Sequence, residues 1–185
     1  MPNFFDRHIN KIDDWEVGTY ENCDFTGLDF KGSLIKGAKF IECRFQDCDL
    51  SNLSVTGCSF QAVDFQNCKL QGILFEAANP FGFECHFKSC LLRHATFYQI
   101  NLQQCSFGHC DLTEVDFTEI KAQGVKFTDC ILSGAIFENA DLRKADFSGS
   151  QNLVLSPELN QVKGMKVASH QLSGLLLKYQ LEITS

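Results

Sequence analysis

Cysteine and histidine are the residues of this 185-residue chain whose chemistry is most easily recognised. Ten cysteines and five histidines could hold a metal ion, form disulfides or supply a nucleophile. The spacing argues against these roles. There is no C-x-x-C motif, and in an extended strand the adjacent pairs Cys85-His86 and His109-Cys110 would point to opposite sides. We therefore predict buried, reduced cysteines, no metal, no cofactor and a cytoplasmic location without an export signal.

Motifs for catalysis are absent from the sequence. There is no G-x-S-x-G nucleophile motif, no Walker loop and no G-x-G-x-x-G, and the histidines are scattered along the chain. Acidic residues outnumber basic ones by 23 to 16, for a formal charge of −7, whereas proteins that grip nucleic acid phosphates are usually basic. No apolar run approaches the roughly 20 residues that a membrane-spanning helix needs. We expect a protein that is not an enzyme, does not bind nucleic acid directly and does not span a membrane.

The positions of the phenylalanines show an internal repeat of five residues. An apolar residue, most often Phe or Leu, recurs every five positions from Phe25 to Phe75 and again from Phe87 to Phe147. These 24 positions, called centres here, hold 14 of the 18 phenylalanines. Every cysteine lies two residues before a centre, and a polar residue usually separates the two. This in-out-in alternation predicts a short extended segment in every unit.

The other two residues of each unit must turn the chain. Eight of the 13 glycines lie two residues after a centre, where a tight turn can require a positive φ angle. With four sides and 20 residues per coil, like residues stack on like in two opposite ladders. One ladder holds Phe87, Phe107, Phe127 and Phe147, and the other holds Phe97, Phe117 and Phe137. We predict an all-β rod of roughly six coils about 4.8 Å apart, filled by side chains and without a lumen.

Two segments without the period flank the repeat. We expect an N-terminal cap over residues 1–22, a solenoid over residues 23–149 with a small loop near residues 77–84, and a C-terminal capping and dimerisation segment over residues 150–185. Caps are needed because terminal coils would otherwise expose apolar faces and unpaired backbone. The N-terminal residues expected to cover the first coil are Phe4, Phe5, Ile9, Ile12 and Trp15. Pro80 explains the loop, since proline cannot donate to a ladder.

Two helix starts are predicted in the C-terminal segment. Ser156-Pro157-Glu158 places proline at a first helical position, and Ser169 can cap a second helix. The apolar stripe of that second helix comprises Leu172, Leu175, Leu176 and Tyr179. Leu177 lies outside the stripe, so the helix is apolar on more than one side and is expected to meet a second partner. Leu181 and Ile183 alternate after it, as residues of a short strand would.

The five-residue period resembles the pentapeptide-repeat family, whose consensus is A-(D/N)-L-x-x. The clearest match runs from Ala140 to Gly149, as Ala-Asp-Leu-Arg-Lys followed by Ala-Asp-Phe-Ser-Gly. The resemblance covers residues 23–149 and implies a right-handed quadrilateral β-helix with a C-terminal α-helical cap. Ser156-Pro157-Glu158-Leu159-Asn160 is similar to a segment of the gyrase-protecting members, namely the Qnr quinolone-resistance proteins and the microcin immunity protein McbG. That similarity implies a homodimer joined tail to tail through Leu172, Leu175, Leu176, Leu177, Tyr179 and Leu181.

A cluster of acidic residues bears on what such a dimer would bind. Asp111, Glu114, Asp116 and Glu119 lie on two adjacent sides of one coil. The resemblance implies a DNA-mimicking dimer that binds a type II topoisomerase, either DNA gyrase or topoisomerase IV, and protects it from a quinolone or a peptide toxin. The four acids are then the expected contacts, with a second contact from Asn79, Phe81 and Phe83 in the loop. Two alternatives stay open: the acids are a solvated surface, or the rod is a structural or adaptor module with an unrelated protein partner.

Overall fold

Short parallel strands stacked along one axis form the body of the molecule. The computed structural model describes residues 1–33 and 35–182. Its eleven strands are β1 (Asn3–Phe5), β2 (His8–Ile9), β3 (Thr19–Glu21), β4 (Asp24–Thr26), β5 (Lys39–Ile41), β6 (Arg44–Gln46), β7 (Ser59–Gln61), β8 (Val63–Gln66), β9 (Cys85–Lys88), β10 (Ser106–Gly108) and β11 (Phe127–Thr128). They pair in the orders β1-β3-β5-β7 and β11-β10-β9-β8-β6-β4-β2, all parallel. The molecule is a parallel β-solenoid of about six turns, as the repeat predicts.

Most partners in the ladders lie 20 residues apart, which confirms four sides per coil. Phe87 pairs with Phe107, and Phe107 with Phe127. Isolated bridges continue the same register on the other sides, for example from Thr96 to Asp116. We number the sides by their centres. Face 1 holds Phe25, Phe45, Phe65, Phe87, Phe107, Phe127 and Phe147; face 2 Phe30, Leu50, Leu70, Leu92, Leu112 and Leu132; face 3 Ile35, Val55, Phe75, Phe97, Phe117 and Phe137; face 4 Tyr20, Phe40, Phe60, Leu102, Ala122 and Leu142.

The core is filled by aromatic rings in two packing geometries. Along face 1 the ring of Phe107 stacks on those of Phe87 and Phe127, each at 5.1 Å between centroids. Across the rod the same ring meets Phe97 at 5.7 Å and Phe117 at 5.9 Å edge to face. Rings of opposite faces therefore touch, so no lumen separates them.

The corners are made by the residue two positions after each centre. This residue has a positive φ angle in nearly every unit, whether it is a glycine such as Gly57 (67°) or another residue such as Asn67 (53°). Most side chains strain in this left-handed region, which explains why glycine is the most frequent residue there. The predicted positive φ angle is confirmed for seven of the eight glycines at this position and is wrong for Gly149.

At the N-terminus, a shortened coil and one indole ring close the rod. Strand β1 pairs with β3, and the ring of Phe4 stacks on that of Tyr20 at 4.6 Å. Trp15 lies over the open end, with its ring centroid 5.0 Å from Tyr20 and 5.2 Å from Phe30. The prediction that Phe5 and Ile12 cover the first coil is wrong, because their side chains are 56% and 47% exposed. Strand alternation that turns Phe4 inward must turn Phe5 outward.

The coil pairing continues beyond the last repeat that the sequence pattern shows. Asp141 bridges to Gln161 and Asp146 to Lys166, which places Val162 and Val167 against the core. Between Gln151 and Gln161 the 20-residue register is unchanged, but the buried apolar residues are Leu153 and Leu155, which do not fall on the five-residue positions 152 and 157. The apolar pattern is therefore lost from the sequence in this stretch, although the ladder continues through it.

The predicted helix start at Ser156-Pro157-Glu158 is wrong, because these residues form a turn. Leu159 N–H donates to the Ser156 carbonyl at 3.2 Å. The side-chain amide of Asn160 closes the turn by donating to Ser156 O and to Phe137 O, both at 2.9 Å. Asn160 also accepts from the Ala140 N–H at 2.9 Å, so one side chain ties the turn to the coil below it.

One short helical segment ends the described chain. It consists of a 3-10 turn (Ser169–Gln171), the helix α1 (Leu172–Leu176) and a second 3-10 turn (Leu177–Tyr179). Its first turn is capped by Gln171, which accepts from Ala168 N–H at 2.7 Å and donates to Phe147 O and Ser150 O, both at 2.8 Å. Ser169 is therefore inside the first turn and not the cap. Of the predicted strand, Leu181 has no regular structure and Ile183 lies outside the described residues.

Candidate protein-binding surfaces

The loop in the solenoid replaces one corner and one side of face 4. Asn79 N–H still donates to Cys58 O at 2.7 Å and Glu84 N–H to Phe60 O at 3.0 Å, so both ends stay on the ladder. Phe81, at the tip, is 79% exposed. Phe83 was expected as a contact residue, but it is buried: its ring meets Phe60 at 6.3 Å edge to face. The inserted residues must still supply a core side chain for this side of the coil, and Phe83 fills that place.

Asp111 was expected to be an exposed acid, but it is buried. Its side chain lies beneath Arg93, whose Nε donates to Oδ2 at 2.6 Å. The Thr113 hydroxyl donates to Oδ1 at 2.6 Å. Burial alone would raise the pKa of the Asp111 carboxyl, but the bonds from Thr113 and Arg93 outweigh burial and lower it below 3.8. The carboxylate is thus used within the fold.

The other three predicted acids remain at the surface. Glu114 is exposed and lies 3.1 Å from His94 Nδ1. Glu119 is exposed and accepts from Gln99 Nε2 at 2.7 Å. Asp116 is half-buried and accepts from Thr118 N–H at 2.8 Å.

Stacking of coils gathers a longer acidic stretch on face 3 than one coil shows. The four units at residues 74–77, 95–99, 115–119 and 135–139 contain four acids and no lysine or arginine. The acids are Glu76, Asp116, Glu119 and Glu138. Exposed apolar side chains lie between them: Leu74, Tyr98 and Ile136. We call these seven residues the face 3 surface. Glu76 and the apolar members can be found in the sequence only by aligning units at the 20-residue period.

The loop and the face 3 surface are continuous. A groove between them is lined by Pro80, Phe83, Glu76 and Tyr98, together with Gln99. Phe81 N–H donates to Asn79 Oδ1 at 3.0 Å, which holds the loop tip beside this groove. The loop and the acids were predicted as separate contacts, and the fold brings them into one surface.

The C-terminal segment leaves most of its apolar side chains uncovered. Leu172, Leu176, Leu177, Tyr179 and Leu181 are exposed, whereas Leu175 packs against the core of the rod. Gly174 presses the segment onto the last coil, since a Cβ on it would collide with the carbonyl oxygen of Leu153. Beside the segment is a groove lined by Ile136, Val154, Leu159 and Leu177. Leu175 thus belongs to the cap, and the other five predicted interface residues face outward.

The cysteines form columns inside the corners of the rod. All ten are free and buried, as predicted. Several donate to a backbone carbonyl of the neighbouring coil; the Cys110 thiol, for example, donates to Phe87 O at 3.5 Å. Within residues 1–33 and 35–182, no group of three or more His, Cys, Asp or Glu side chains is arranged to hold a metal ion. The same part of the chain has no helix long and apolar enough to cross a membrane.

These features define a class of protein: a four-sided β-solenoid built from five-residue units, with a filled core. The family model for the pentapeptide repeat region matches residues 14–79 and 83–153, and the chain belongs to the pentapeptide-repeat family. No curated protein matches the chain by sequence.

The chain is similar to several solved structures. A trypsin-treated variant of QnrB1, a plasmid-mediated fluoroquinolone resistance protein, aligns with a TM-score of 0.50 and 20% identity over 98% of this chain and 97% of that chain. Full-length QnrB1 aligns with a TM-score of 0.36 and 22% identity over 97% of each chain. HetL, a pentapeptide repeat protein involved in heterocyst differentiation regulation in the cyanobacterium Nostoc sp. strain PCC 7120, aligns with a TM-score of 0.34 and 11% identity over 90% of this chain and 83% of that chain.

Proposed function

We propose that this chain is a non-enzymatic protein that binds a type II topoisomerase, DNA gyrase or topoisomerase IV, and protects it from a quinolone or a peptide toxin. In this proposal two chains join tail to tail through the C-terminal segment into one long rod. The rod occupies the DNA-binding surface of the enzyme and acts in the cytoplasm, where ten free thiols stay reduced.

The likeness to a fluoroquinolone resistance protein over nearly the whole length of both chains is the observation that carries this proposal. It extends beyond the repeat into the terminal segments. The face 3 surface adds a chemical reason. Four acids without a lysine or arginine among them complement the basic residues with which a topoisomerase holds DNA phosphates, and the exposed Leu74, Tyr98 and Ile136 supply apolar contact area.

The direct test is DNA supercoiling by purified gyrase, with and without ciprofloxacin, in the presence of this protein. We expect micromolar protein to relieve the inhibition by the drug, and at higher concentrations to compete with DNA and slow supercoiling itself. A parallel set of reactions with a gyrase-directed microcin separates drug protection from toxin immunity. Protein that neither slows supercoiling nor relieves either inhibitor rules out the proposed target.

Charge reversal on the face 3 surface tests how the rod binds. Asp116→Lys with Glu119→Lys should weaken gyrase binding strongly at low salt and less at high salt, because exposed charge pairs mainly set association rate and are screened by ions. Asp29→Lys with Asp47→Lys is the matched control. It changes the net charge equally at two exposed acids outside face 3. Equal losses in the two double variants would show that only net charge matters and would exclude a specific contact on face 3.

A further inference from the structure

Gly108 is an unexplained glycine on face 1. It is the only glycine that directly follows a centre in any of the 24 units. The backbone does not require it, because Gly108 is not among the residues with positive φ. A Cβ at this position would find its nearest neighbour, the carbonyl oxygen of Phe87, 3.9 Å away. A glycine inside a strand weakens the strand and often marks the close approach of another molecule.

The missing side chain opens a notch in the outer surface of the sheet. Gly108 on β10 pairs with Lys88 on β9 and with Thr128 on β11. The other outward residue of β10 is the short Ser106, which pairs with His86. Longer side chains on the neighbouring coils therefore wall a depression whose floor is the backbone of β10. Its lining includes Lys88, Lys126, His86, His109, Ser106 and Thr128.

The notch is basic in an acidic protein. Arg44, Lys88 and Lys126 line it against one acid, Asp64, for a local charge of +2 with neutral histidines, whereas the whole chain carries −7. Among the described residues, neither lysine has a carboxylate within 4.0 Å. The other cationic groups have closer acidic neighbours: Glu84 is 3.4 Å from His86, Asp129 is 3.6 Å from His109, and Asp24 is 4.0 Å from Arg44. Across the ladder, Asp64 pairs with His86 and Asp146 with Lys126. The lysines are therefore the available cationic groups.

We propose that this notch binds the phosphate group of a small molecule. Two ammonium groups and the Thr128 hydroxyl offer donors from several directions, which suits a tetrahedral anion with several acceptor oxygens. The Ser106 hydroxyl lies 3.1 Å from His86 Nδ1 and donates to the anion when the imidazole donates to it. The glycine lets that anion approach the strand closely. A long polyanion fits the site less well, since Asp64, Glu84 and Asp129 surround the notch and the chain as a whole repels it. Face 1 lies opposite face 3, so this site is independent of the proposed topoisomerase contact.

Titration of the ¹⁵N-labelled protein with inorganic phosphate and with a nucleoside monophosphate tests the proposal. We expect saturable shifts of the Gly108 and Thr128 amide signals. Gly108→Gln fills the notch with the side chain that Gln46 and Gln66 already present in the same row of face 1. It should weaken binding about tenfold or more, and Lys88→Gln about tenfold, since charge-assisted bonds to the anion are lost. Thr118→Gln, at the same repeat position on face 3, should leave binding unchanged.

Gly108→Gln should fold at least as well as the parent, because a strand glycine is replaced by a residue with less backbone freedom in the unfolded chain. If circular dichroism shows that this variant is folded, a loss of phosphate binding comes from the filled notch and not from unfolding. Its gyrase protection should be intact. Shifts that never saturate, or a Gly108→Gln variant that binds phosphate as the parent does, would overturn the proposal. So would a short DNA duplex that binds more tightly than the monophosphate at equal salt.

Discussion

At the scale of the residue, most core phenylalanines of faces 1 and 3 are held from two directions. Phe107 has stacked neighbours in the coils above and below it and edge-on neighbours across the rod. If one ring is removed, a neighbouring ring cannot move into the cavity without losing its own contacts with the rings of the next coil. The energetic cost of losing one ring should therefore be near the upper end for core truncations.

Phe107→Ala should lower the free energy of unfolding by about 3–5 kcal/mol, the range for a large aromatic side chain removed from a core. Phe81→Ala is the matched control at the exposed loop tip and should change stability by less than about 0.5 kcal/mol. Urea unfolding followed by circular dichroism measures both. Similar small values for the two variants would contradict the stacked core.

Three of the buried thiols, Cys43, Cys85 and Cys105, make the protein sensitive to alkali. Burial raises the pKa of the Cys43 thiol to about 11 and that of Cys105 to about 12, and it raises the pKa of Cys85 well above 9.0. A thiol whose pKa is higher in the folded than in the unfolded protein stabilises the fold fully at pH values below its unfolded pKa of 9.0. That stabilisation is lost as the pH rises through the folded-state pKa.

The contribution of these thiols to the free energy of unfolding should therefore not change with pH below about pH 8, and it should fall between about pH 9 and 12. At neutral pH a thiol reagent should react slowly with the native protein and should reach ten thiols only on unfolding. Urea titrations across this pH range and a timed thiol assay give the two measurements. Several fast thiols at pH 7 would be incompatible with ten buried side chains.

At the scale of the element, the C-terminal segment has two different apolar sides. Leu175 and Gly174 face the rod, while Leu172, Leu176 and Leu177 are exposed on a segment too short to be stable by itself. Docking onto the last coil therefore holds the segment in its helical form. The exposed side is then available for a second copy of the chain.

Leu177→Asp should convert a dimer to a monomer without unfolding the cap. Leu177 is 62% exposed in the single chain, so the new charge is buried only if a partner covers it. Gln103→Asp adds the same charge at an exposed site on face 4 and should remain dimeric. Light scattering at several concentrations distinguishes the two. Parent protein that stays monomeric at high concentration would exclude the tail-to-tail arrangement.

The sequence predicts the solenoid well because one period governs every coil of the repeat. It predicts sites less well because sites form between coils. Asp111 looks exposed in a linear sequence, but Arg93, 18 residues earlier, lies beside it in the adjacent coil. Phe83 looks like a loop residue, but its side of the coil needs a core ring. The turn at Ser156 is imposed by an Asn160 side chain that reaches the coil below, which no local propensity encodes.

At the scale of the whole molecule, the rod presents different chemistry on opposite sides. Face 3 carries acids and apolar side chains, whereas face 1 carries the basic notch at Gly108. A solenoid permits this division because outward residues have little part in the core and change independently from coil to coil. Partners with opposite charge requirements can thus approach the same rod without competing for one surface.

The 20-residue register also sets how the chain finds its fold. Contacting strands are about one coil, or 20 residues, apart in the sequence. The relative contact order, which is the mean sequence separation of contacting residues divided by the 185 residues of the chain, is therefore about 0.11. This value is below the range of all-β sandwiches. Loop closure between neighbouring coils therefore costs little, and each completed coil templates the next. We expect the main refolding phase in stopped-flow circular dichroism to take on the order of milliseconds, a speed usually associated with proteins rich in local contacts. A main phase lasting seconds would show that nucleation of the first coil, and not the growth of the rod from it, limits folding.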